Sequence, residues 1–99
     1  MEVFHRDCWV EDANGAVQPL AITFEAPTKD GDHYWARANI ACPFFEKDVR
    51  AGGEDAPQAF FCLPAVVVSY LISQRRYGFE AYWFKKGDLD DRDFWTYRK

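Results

Sequence analysis

Residues 53–74 read Gly53-Glu54-Asp55-Ala56-Pro57-Gln58-Ala59-Phe60-Phe61-Cys62-Leu63-Pro64-Ala65-Val66-Val67-Val68-Ser69-Tyr70-Leu71-Ile72-Ser73-Gln74, and the fold turns on how this stretch is read. From position 56 to position 74 it carries no charged side chain. Asp55 and Gln58 have the spacing of a capping box, in which each side chain satisfies a free amide at a helix start. Pro57 falls in the first turn, where a missing N–H costs nothing. The stretch therefore predicts a helix that begins at Asp55 and runs to about Arg76. Gly78 is its stop, and Arg75 and Arg76 complement the negative end of the helix dipole.

Pro64 sits two turns in and removes one backbone hydrogen bond, so a kink is expected there. Phe60, Phe61, Leu63, Val66, Val67, Val68, Leu71 and Ile72 cover most of the helix circumference, and a helix apolar all round is usually buried on more than one side. A membrane span is rejected. Pro57, Gln58, Pro64, Ser69 and Ser73 interrupt an apolar run too short for about 30 Å of hydrocarbon.

Outward from the helix, the chain reads as strands. Residues 3–10 form the first and residues 17–25 the second, with Leu20, Ile22 and Phe24 alternating against Ala21, Thr23 and Glu25. Asn14-Gly15 between them predicts a hairpin with a two-residue turn. Pro19 lacks a donor and marks an edge or a bulge. A one-residue slip flips every side chain. The bulged register is favoured because it places Leu20, Ile22 and Phe24 with Val10, Cys8 and Arg6, leaving Asp7 and His5 in water. Residues 26–33 are a polar loop, residues 34–41 a third strand ended by Pro43, and residues 44–53 an irregular connection. After the helix, residues 79–84 form a fourth strand with Phe79, Ala81 and Trp83 on one face and Glu80, Tyr82 and Phe84 on the other. Residues 85–88 turn the chain, and residues 89–99 are a charged tail or edge strand containing Phe94, Trp95 and Tyr97.

The expected fold is a single α+β domain over residues 1–99, in the order β-β-β-α-β. It is an antiparallel meander of three to five strands with one long, Pro-kinked apolar helix packed on one face. Length allows only one core. With 48% hydrophobic and 28% charged residues the composition is that of a folded protein. A net charge of −4 argues against nucleic acid and against an anionic membrane surface as partners. Three cysteines, Cys8, Cys42 and Cys62, are odd in number and widely spaced, which suggests free thiols and a cytoplasmic location. Positions 1–10 hold Glu2, Arg6 and Asp7 and no apolar core of a signal peptide.

The second half has a cadence of its own. Gly53, Asp55, Gln58, Ala59, Phe60 and Phe61 open the helix; Trp83 sits on the following strand, then Gly87-Asp88. Together with Pro27 and Trp35 in the first half, this resembles a family of small bacterial domains of unknown function. Their helix opens with Gly-x-Asp-x-x-Gln-Ala and is followed by a Trp-bearing strand and a Gly-Asp turn. The resemblance implies the fold and a bacterial source, and leaves the activity open.

Chemistry is sparse. His5 and Cys8, three apart on a strand, point to opposite faces and cannot easily share an ion. Asp88, Asp90, Asp91 and Asp93 lack the Gly and Glu of a calcium loop. No metal, cofactor or catalytic residue is assigned. The feature with functional reach is the aromatic surplus: 18% of the chain. Tyr82, Trp83, Phe84, Phe94, Trp95, Tyr97 and Arg98 are expected to form a binding interface, since Trp, Tyr and Arg make the best anchors. Asp55 and Gln58 cap the helix. The expected function is a non-catalytic, self-associating protein-binding module, immunity- or antitoxin-like, paired with a protein that can be a second copy through these rings or through the helix. The alternatives are a small enzyme using Cys42 with His33 or a carboxylate, and a small-molecule binder between helix and sheet lined by Phe60, Phe61 and Trp35.

Overall fold

The computed structural model describes residues 2–90. In chain order it comprises β1 (Glu2–Glu11), β2 (Val17–Glu25), β3 (Thr28–Asp30), β4 (His33–Ala41), β5 (Glu46–Gly53), α1 (Ala56–Ser73), a 3-10 turn (Gln74–Tyr77) and β6 (Glu80–Tyr82). All pairings are antiparallel, and α1 packs on one face of the sheet. β4 is the hub. β5 runs along one of its edges, while β2 and then β3 share the other. β1 lies beyond β2, and the short β6 pairs with β1.

The α+β expectation holds, with six strands where three to five were expected; two of them, β3 and β5, lie in segments read as loop or irregular connection. Residues 46–53 are a strand rather than an irregular connection, because each residue from Glu46 to Gly53 finds a partner on β4. The polar loop also contains β3, which turns back onto β4 through Gly31 at φ 63° and Asp32.

The first hairpin keeps the favoured register but reaches it by another route. Leu20 faces Cys8, Ile22 faces Arg6 and Phe24 faces Phe4. Trp9 pairs directly with Pro19, so no bulge interrupts the ladder there; the one irregularity lies between Glu2 and Phe4. A longer turn sets the register. Asp12 N donates to Ala16 O at 2.9 Å, and the Asp12 carboxylate accepts from Asn14 N and Ala16 N, each at 2.9 Å. Only Gly15 takes a positive φ, so the two-residue type I′ turn does not form.

The helix follows its signals. Asp55 Oδ1 accepts from Gln58 N at 2.8 Å, and Gln58 Oε1 accepts from Glu54 N at 2.6 Å, one residue earlier than the standard reciprocal bond. The chain runs through a buried Pro64 as one continuous helix. Gly78, at φ 88°, closes the 3-10 turn that follows.

The core joins Cys8, Val10, Leu20, Ile22, Phe24 and Ile40 of the sheet to Ala59, Leu63, Val67 and Leu71 of α1. Trp83 completes it from beyond β6, with the Arg6 guanidinium 4.5 Å from its ring centroid. At the far end Phe44 stacks on Phe79 at 4.9 Å, and Phe45 meets Tyr70 at 5.9 Å.

Two stability changes are expected. Leu63→Ala deletes a fully buried side chain and should lower the unfolding free energy by about 2–5 kcal/mol. Gly53→Ala would put a methyl group 2.5 Å from the Ala59 nitrogen and should cost about 1–3 kcal/mol in urea unfolding. Wild-type midpoints for either variant would contradict the packing.

Candidate interaction surface

α1 has two faces of different fate. Ala59, Leu63, Pro64, Val67, Val68 and Leu71 are buried against the sheet. Gln58, Phe61, Cys62, Ala65, Ser69 and Ile72 point to solvent. At 100° per residue these six lie on one stripe. Phe61 is 68% exposed and Ile72 43%. Helical positions facing water are normally taken by Lys, Glu and Arg, which form helices well and carry no burial demand. Here none is charged. Charge appears only beyond the ends, with Glu54 ahead of the cap and Arg75 and Arg76 in the 3-10 turn, all exposed.

The rings expected to form an interface are divided. Trp83 is 1% exposed, so this side chain is a core residue and not a surface anchor. Its backbone N–H donates to Asp88 Oδ1 at 2.6 Å and its indole N–H to the Asp90 carbonyl at 3.1 Å. Asp88 Oδ2 also accepts from Phe84 N and Lys85 N. The Gly-Asp turn is thus a knot of carboxylate on backbone amides, with both Asp88 oxygens engaged. Tyr82 is half-buried, and Phe84 is 46% exposed. Phe94, Trp95, Tyr97 and Arg98, with Asp91 and Asp93, lie outside the described residues.

The sequence reading overlooked a second apolar patch. On the sheet face opposite α1, Trp9 pairs with Pro19 on one side and Tyr82 on the other, and Val17 stands nearby. Trp9 is 44% exposed. The period-two pattern of β1 carried the signal: Trp9 shares a face with His5 and Asp7, the face assigned to water.

The Cys42–His33 pairing fails in geometry. His33 opens the nine-residue β4 and Cys42 follows its last residue, so they are about 30 Å apart at 3.3 Å per residue and cannot act together. His5 Nε2 lies 2.8 Å from Asp7 Oδ1, and its Nδ1 lies 3.4 Å from Thr23 Oγ1. The row of Thr23, His5 and Asp7 has the order of a nucleophile, base and orienting acid, but His5 and Asp7 stand exposed on the open sheet, where water screens the pair. No cluster of three or more His, Cys, Asp or Glu side chains could hold a metal ion among the described residues.

A shallow cleft of about 440 Å³ lies at the helix start, lined by His33, Trp35, Gly52, Gly53, Glu54 and Gln58. Of the residues expected to line a small-molecule site, only Trp35 is there. Its ring covers Gly52 and lies against Arg50, whose guanidinium carbon is 4.4 Å from the centroid. Phe60 instead packs edge-on against Phe24.

Compared with protein-family models, with curated proteins and with solved structures, the chain gives no significant match. Several of the residues that suggested a bacterial domain family have structural work. Gly53 admits the helix, Asp55 and Gln58 cap it, and Gly87-Asp88 hold the turn over Trp83.

The three thiols are free and differ in access: Cys8 is buried, Cys42 half-buried and Cys62 exposed. Burial pushes the Cys8 thiol up to about 12, against a partial offset from Arg6. A raised value favours the folded state fully below the thiol's ordinary 9.0, and that contribution fades as pH climbs from 9.0 through about 12. Iodoacetamide at pH 8 should therefore label Cys62 in the native protein and Cys8 only after unfolding; equal rates would refute this arrangement.

Proposed function

We propose that the chain is a non-catalytic protein-binding module whose contact surface is the outward face of α1. The observation that carries this is an exposed helical stripe with no charge and with Phe61 at 68% exposure. Burying a ring like Phe61 in a partner contributes about 1.5–3 kcal/mol, and exposed apolar patches on small proteins mark interaction sites. Phe84 extends the list of exposed rings, whereas Trp83 belongs to the folding core.

The test is affinity capture from native lysate with tagged wild type and Phe61→Glu. Because Phe61 is largely in solvent, the variant should melt like wild type while its captured partner falls at least about tenfold, a difference of 1.4 kcal/mol. Equal capture by a folded Phe61→Glu would refute the surface.

A further inference from the structure

We infer that the occupant of the α1 face is a second copy of this chain, packed antiparallel about a two-fold axis through Ala65. This rests on the reading of that face as the contact surface. Three features of the stripe fit its own image. First, Ala65 at the centre has almost no side chain, so two helix backbones can approach there. Second, the largest knob and a matching gap sit at equal distances from it. Phe61 lies four residues before Ala65 and Ser69 four after, so each Phe61 ring meets the small Ser69 of the other copy. Ile72, seven residues after Ala65, falls opposite Gln58, seven before.

Third, the charges at the two ends are of opposite sign. Glu54 stands eleven residues before Ala65 and Arg76 eleven after, both exposed. Neither has an ion-pair partner among the described residues. Arg76 only lies over the ring of its neighbour Tyr77, at 5.2 Å. Within one copy the two are separated by the whole helix, too far to pair. Antiparallel packing sets each Glu54 beside the Arg76 of the other copy, twice by symmetry, and aligns opposite ends of the helix dipoles. An isologous contact of this kind needs no other partner chemistry. Each copy carries a net charge of −4, but the mating stripes carry none, so like charges are not forced together.

The experiment is sedimentation equilibrium over a concentration series, joined to two variant sets. Wild type should dimerise, and Ala65→Glu should weaken the dimer by at least about tenfold. Glu54→Lys and Arg76→Glu should each weaken it about threefold to tenfold, and the double swap should recover most of the loss, which a merely structural effect would not do. In a Cys62→Ser background, Ala65→Cys lies on the axis and should form an intermolecular disulfide under mild oxidation. Native Cys62 should not, because its symmetry mate is displaced by about 9 Å along the helix. A wild type that stays monomeric at every concentration overturns self-pairing. The surface itself would still stand if Phe61→Glu abolished capture of a different protein. A dimer that ignores the charge swap and leaves Ala65→Cys unlinked overturns the antiparallel arrangement.

Discussion

At the junction of β5 and α1 two backbones nearly touch: a methyl group on Gly53 would lie 2.5 Å from the Ala59 nitrogen and 2.9 Å from its Cα. The first turn of the helix therefore lies directly on the end of the strand. With Asp55 fixing the Gln58 amide and Gln58 returning a bond to Glu54, the chain reverses within a few residues. The direction of α1 over the sheet is set here, and so is the division of its residues into a buried and an outward stripe. A looser junction would let the helix rotate, and rotation by one residue turns the stripe through 100°.

What lies beneath the helix fits this close seat. α1 crosses mainly β4 and β5, and the core-facing residues there include Ala36, Ala38 and Ala51, all buried. Small side chains let a helix sit low on a sheet. Larger ones, Leu20, Ile22 and Phe24, fill the volume toward β1 and β2, where Trp83 and Leu89 add cover from the segment after β6. The indole of Trp83 is held by Asp90, its backbone by Asp88 and its ring face by Arg6, so one aromatic residue closes the open side of the core.

The helix was legible because each of its signals is local: a cap, a proline in the first turn, an uncharged run and a terminal glycine. The core faces of β2 and of residues 79–84 were legible from alternation alone. β5 was not, because Glu46, Lys47, Asp48 and Arg50 leave only Val49 and Ala51 as inward apolar residues, and Gly52-Gly53 reads as a break. Those glycines instead serve the ring of Trp35 and the helix seat. β3, with three exposed polar residues, exists through its partner strand and has no pattern of its own. The fate of Trp83 was illegible for a related reason. An aromatic count shows that rings exceed one buried face, but which ring is sealed depends on where a carboxylate and a guanidinium five and more residues away in sequence come to rest. The outward stripe of α1 was visible as missing charge, yet only the packing of the opposite face separated its residues from the core.

β5 has a last consequence. It pairs with β4 alone among the described residues, and its other edge offers unsatisfied amides and carbonyls to any passing strand. Of its charged side chains, Glu46 and Asp48 accept from Asn39 Nδ2 of β4 and Arg50 lies over the Trp35 ring of β4, so both signs of charge are held along the ladder itself. Charges of both signs fixed so close to the backbone ladder make edge-to-edge recruitment of another sheet unfavourable.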